Sequence, residues 1–110
     1  MTGSEGMLGI VTEITVKLLP KPEKAQVVMA AFDDIQMAGN AVANVIGAGI
    51  IPAGMEMMDK LTTRAVEEFV HAGYNLDAEA ILLCESDGTE EEVADEIKRI
   101  NEIMKKSGAV

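Results

Sequence analysis

Residues 26–32, Gln-Val-Val-Met-Ala-Ala-Phe, form an apolar run that Asp33 and Asp34 stop at once. The period then changes from strand to helix. Ile35, Ala38, Val42, Val45 and Ile46 recur at helical spacing, with either aspartate placed to cap the first turn and Gly47 and Gly49 to end the last. This switch happens three times. Residues 53–58 predict a second strand, and Asp59 caps a helix over residues 60–71 with Leu61, Ala65, Phe69 and Val70 facing inward. Residues 80–85 predict a third strand, and Asp87-Gly88 turns the chain. Thr89-x-x-Glu92 is a capping box for a final helix, along which Val93, Ile97, Ile100 and Met104 line one face. Glu90 and Glu91 sit at its positive dipole end, and Lys105 and Lys106 at its negative end. The expected class is α+β, a partial ferredoxin-like plait in the order β-α-β-α-β-α, with one helix inserted and the final strand missing. Such a plait leaves one sheet edge open.

Ahead of this unit, Ile10, Ile14, Val16 and Leu18 share one parity over residues 10–19, while Glu13, Thr15 and Lys17 fill the other. The alternation predicts a half-buried strand. Pro20 and Pro22 end it, because proline has no N–H to give a ladder. Gly3, Gly6 and Gly9 precede it in a loop where the backbone can come close to a flat or phosphate-bearing group.

A length of 110 residues suits one domain with one modest core. The net charge of −10 argues against nucleic acid and anionic membrane, both of which need a basic face. Phe32, Phe69 and Tyr74 are the only aromatic residues, too few for a base-stacking platform. A single cysteine, Cys84, has no partner within the chain, which favours a reducing, cytoplasmic setting.

The remaining candidate groups read as structure. Gly47-Ala48-Gly49 follows a helix rather than a strand, so it does not make a dinucleotide fingerprint. Met55 and Met57 share a strand face opposite Met58 and suit core filling better than a thioether metal site. Glu56 faces either solvent or a neighbouring domain. His71, near a helix end, has no second histidine or nearby cysteine to complete a metal set. No catalytic or metal-ligating residue is assigned.

The stretch Gly3-Ser4-Glu5-Gly6-x-Leu8-Gly9-Ile10-Val11-Thr12-Glu13, followed by Lys17-Leu18-Leu19-Pro20-x-Pro22, resembles the end of the flavin domain in FAD-linked oxidases of the vanillyl-alcohol-oxidase superfamily. The likeness is to the group of glycolate oxidase large subunits and D-lactate dehydrogenases. Gly49-Ile50-Ile51-Pro52-Ala53, with Glu56 and Met58-Asp59, resembles the substrate, or cap, domain that follows. The resemblance implies that residues 1–22 close an FAD domain and residues 23–110 begin a ferredoxin-like cap domain. It implies flavin contacts from Ser4, Glu5, Gly6, Leu8, Gly9 and Ile10. Met7 stands where the group usually has threonine, so a hydroxyl contact is lost there.

On this reading the chain is a fragment of an FAD-dependent enzyme that oxidises a 2-hydroxy acid such as glycolate or D-lactate. Its partners are the rest of the parent chain and further oxidase subunits. The isolated piece is expected to be inactive and to pair into a homodimer. The competing reading is a stand-alone α+β ligand-binding or regulatory module that dimerises through its sheet.

Overall fold

The computed structural model describes residues 1–110. Its elements run β1 (Lys24–Phe32), α1 (Ile35–Gly47), β2 (Gly54–Asp59), α2 (Lys60–Val70), β3 (Ala80–Gly88) and α3 (Glu90–Lys106). The sheet order is β1-β3-β2. Both outer strands are antiparallel to β3, with Val28 and Met55 flanking Cys84 from either side. β1 and β2 are therefore parallel to each other with β3 between them, which is a split β-α-β unit.

One sheet face carries the core. Val28, Ala30 and Phe32 from β1 and Ala80, Leu82 and Cys84 from β3 meet Ala38, Ala41 and Val45 of α1, Ile50, and Ile100 and Met104 of α3. On α3 the expected stripe holds: Val93, Ile100 and Met104 are buried and Ile97 is half-buried. On α1 the buried stripe is turned from the expected one. Ala38, Ala41 and Val45 face in, while Ile35 and Ile46 stand exposed. The two alanines let α1 lie close to the sheet, and the bulkier isoleucines fall at the margins.

Two expectations are corrected. Residues 10–19 form no strand here, and their apolar side chains are exposed. Alternation supplies a strand's two faces but not its ladder, and no strand of this sheet pairs with the segment. The second correction concerns α2. Leu61, Ala65, Phe69 and Val70 point outward, and Thr63 is its one buried residue, donating its hydroxyl to the carbonyl of Asp59 at 2.9 Å. α2 follows β2 with no linker, so the junction at Asp59 sets which side meets the sheet. The helix packs on β2 and β3 but on neither other helix, leaving its apolar stripe uncovered.

The capping box on α3 forms as expected. Glu92 N–H donates to Thr89 Oγ1 at 3.3 Å, and Thr89 N–H donates to Glu92 Oε2 at 3.0 Å. The Thr89 N–H and, at 2.8 Å, the Thr89 hydroxyl both donate to the Glu92 carboxylate, and these two bonds, the backbone one first, hold it below its ordinary pKa. Thr89→Ala is expected to lower stability by about 0.5–2 kcal/mol, with Thr89→Ser close to wild type, measured as the urea midpoint. An unchanged midpoint for the alanine variant would place the helix start elsewhere.

Candidate functional site

The glycine loop at the N-terminus is organised by its own backbone. Ser4 N–H donates to Met1 O at 3.3 Å, and Met7 N–H donates to Ser4 O at 2.9 Å. Gly3 and Gly6 both have φ of 76°, in the left-handed region that glycine enters without steric cost. Glu5 lies between them at φ 52°, a conformation uncommon for a residue with a side chain. A Cβ built on Gly3 or Gly6 meets no atom within 4 Å, so their backbone is open to close approach. Ser4 is half-buried, while Glu5, Gly6, Leu8, Gly9 and Ile10 are exposed. The six residues expected to meet a flavin thus fall within residues 4–10, on one open loop.

Elsewhere, several chemistry-bearing side chains are engaged in structure. A cleft of about 420 Å³ lies where the starts of α1 and α2 converge, lined by Asp33, Asp34, Asp59, Lys60 and Glu79 among others. One donor at each helix end is already used. Asp34 accepts from Gln36 N–H at 2.7 Å, and Asp59 accepts from Thr62 N–H at 2.7 Å. The Thr62 backbone bond holds the Asp59 carboxyl below its ordinary pKa. Lys60 Nζ donates to Glu79 Oε1 at 2.7 Å and to Asp77 O at 3.0 Å. His71 caps α2 at φ 53°, its N–H donating to Glu67 O, while the Glu67 carboxylate accepts from the N–H groups of Gly73 and Tyr74. No three histidine, cysteine or acidic side chains come together in a way that would hold a metal ion.

Glu56 lies on the sheet face away from α1 and α3. There it lines a hollow of about 180 Å³ with Val27, Gly54, Leu83 and Glu85. Strand parity separates it from Met55 and Met57, but only the sheet order brings Glu85 and Val27 alongside.

Known proteins account for nearly the whole chain. The family described as FAD linked oxidases, C-terminal domain, matches residues 21–110. The chain belongs to this family. Glycolate oxidase subunit GlcD of Escherichia coli is 60% identical over 108 residues, covering 98% of this chain and 22% of that protein. GlcD of Bacillus subtilis is 44% identical over 98% of the chain and 23% of its own length. A D-lactate dehydrogenase of Anaerostipes hadrus is 30% identical, with 100% of the chain matched to 25% of that protein. This FAD-linked oxidase segment therefore spans about a fifth to a quarter of the curated relatives it matches. Among solved structures, an alkyldihydroxyacetonephosphate synthase superposes with a TM-score of 0.65 at 15% identity, over 80% of this chain and 19% of that one. At that identity the likeness is one of fold. No helix is long and apolar enough to cross a membrane.

Proposed function

We propose that this chain is the junction between the FAD domain and the cap domain of a cytoplasmic oxidoreductase acting on a 2-hydroxy acid, glycolate or D-lactate. Residues 1–22 end the FAD domain, and residues 23–110 begin the cap. The 60% identity to a glycolate oxidase subunit over 98% of the chain is the observation that carries this reading. The open left-handed backbone at Gly3 and Gly6 supports it, because a flat ring system can lie against a loop with no Cβ in the way.

FAD, when bound by the parent, supplies the acceptor for a hydride from the substrate's α-carbon. The part assigned to this segment is positional. Ser4, Glu5, Gly6, Leu8, Gly9 and Ile10 offer flavin-facing backbone, and the strand-competent residues 10–19 pair within the FAD domain. The remaining partners are the rest of the parent chain and further oxidase subunits.

A chimera tests the proposal. The matching 22% of the E. coli GlcD chain is replaced by this sequence and assembled with its own partner subunits. The purified chimera is expected to be yellow and to reduce a dye with glycolate or D-lactate. The 110-residue chain alone should purify colourless and show no FAD binding by calorimetry. A chimera that folds but stays colourless overturns the flavin-loop assignment. One that holds flavin and oxidises neither acid overturns the substrate class.

A further inference from the structure

α2 turns a polar face inward. Lys60, Thr63 and Glu67 are three and four residues apart, so they share one side of the helix. Thr63 is buried and Lys60 and Glu67 are half-buried, while Leu61, Ala65 and Phe69 stand exposed on the other side. Residues 71–79 then link α2 to β3 without regular structure. This strap runs back along the polar face, because α2 holds it at two levels. The Glu67 carboxylate uses both oxygens at the near end: Oε1 accepts Gly73 N–H at 2.8 Å and Oε2 accepts Tyr74 N–H at 3.2 Å. At the far end Lys60 Nζ donates to Asp77 O and to Glu79 Oε1.

The two ends of the strap are unequally secured. The far end is tied into the sheet by backbone. Lys60 N–H donates to Glu79 O at 3.1 Å, and Glu79 N–H donates to Phe32 O at 2.9 Å. Ala78 beside them is buried. The near end has no such anchor. Residues 71–73 and 75–77 are exposed, Tyr74 is half-buried, and the main apolar cluster takes no side chain from α2 or the strap. The turn itself is left-handed at His71, φ 53°, and at Gly73, φ 82°. Glycine adopts that conformation freely, but a histidine does so at a steric cost. The Glu67 carboxylate bridges this turn from the helix side.

We propose that residues 72–76 form a strap that opens at its Glu67 end while α2, the Lys60 end and the core stay in place, the Glu67 carboxylate being the latch. The two bonds to Glu67 are the ones that fix the Gly73 and Tyr74 N–H groups. Both are charge-assisted, so one side chain supplies most of the hold at that end. Releasing them relieves the left-handed turn and uncovers no side chain of the main cluster, which places the opening at the low-energy end for this fold. The inward glutamate thereby gains a purpose that a core-facing stripe would not give it. The whole device lies between β2 and β3, inside the chain, and the inference stands apart from the flavin reading.

Amide hydrogen exchange of the 110-residue chain, read residue by residue by NMR at one fixed pH, tests it. Glu67→Gln is expected to speed exchange at Gly73 and Tyr74 at least ~10-fold, and Glu67→Ala further. The Glu79 amide and the β3 amides should keep their wild-type rates in both variants. Phe69→Ala, on the outward side of α2, should leave Gly73 and Tyr74 within about 3-fold of wild type. The wild-type chain supplies a second measurement that needs no variant. Below the unfolding transition, exchange at Gly73 and Tyr74 should be nearly independent of urea, because a local opening exposes little surface, while the β3 rates rise with urea. Unchanged Gly73 and Tyr74 rates in Glu67→Ala overturn the latch. A urea dependence at Gly73 and Tyr74 as steep as that of β3, or β3 rates that rise with theirs in the variants, overturns the separate opening.

Discussion

Phe32→Ala is expected to remove most of the stability of this chain, by about 3–5 kcal/mol. Phe32 has no exposed surface. It ends β1, packs within the main cluster, and its carbonyl holds Glu79 N–H at the start of β3. Truncation leaves a cavity where β1, α1 and β3 converge, and little can collapse into it, because Ala30, Ala38 and Ala80 of that cluster are already small. Single domains are stable by only ~5–15 kcal/mol, and a three-stranded sheet with 17 of 110 residues buried belongs at the low end. Urea titration followed by circular dichroism measures the loss, and a change under ~1 kcal/mol would show that Phe32 is not a core anchor. Phe69 is the control. It is 87% exposed on α2, so Phe69→Ala is expected to stay within about 0.5 kcal/mol of wild type.

The contrast between the two phenylalanines shows where the sequence was readable. Both sit in apolar patterns of the right period. The pattern around Phe32 is a short uncharged run stopped by Asp33 and Asp34; pairing with β3 buries Val28, Ala30 and Phe32, while Val27 and Met29 stay exposed on the other face, so the run is half-buried rather than buried throughout. The pattern around Phe69 gives a helix with an apolar stripe, but it does not say that a sheet lies on that side. Periodicity fixes the phase of a stripe along its own helix, and the junction at Asp59 decides which way it points. The same distinction governs residues 10–19. Their alternation is local, whereas a ladder partner is not, so the strand was legible as a capacity and its pairing was not.

The caps were legible because they are local chemistry. Asp34, Asp59 and Thr89 each accept an N–H two or three residues on, as their positions implied. In the loop, positive φ at Gly3 and Gly6 was foreseeable from the absence of a side chain. The left-handed turn at Glu5 was not, since nothing in a glutamate favours it. The order β1-β3-β2 depends on contacts between distant residues. The period alone allowed several orders, and it is the structure that shows which one forms.

Cys84 offers a second large effect and a direct view of core opening. It sits at the centre of β3 between Val28 and Met55 and has no exposed surface. Burial raises its thiol pKa above the ordinary value, and the nearby Glu96 carboxylate raises it further. Both effects suppress labelling by a thiol reagent: the thiolate fraction is smaller, and the sulfur is reached only when the sheet separates from α3 and α1. If reaction needs global opening of ~5 kcal/mol, native labelling is expected to be about 10³–10⁴ slower than in urea. Phe32→Ala should restore much of that rate, because it lowers the same opening energy. Ile14→Lys with Val16→Lys should leave the rate unchanged in dilute monomer, since the exposed N-terminal segment lies outside the opening unit. Fast stoichiometric labelling of the native wild-type chain would show that β3 is reached by local fluctuation, and the core would then be the half-sheet on the β1 side rather than one cooperative unit around Cys84.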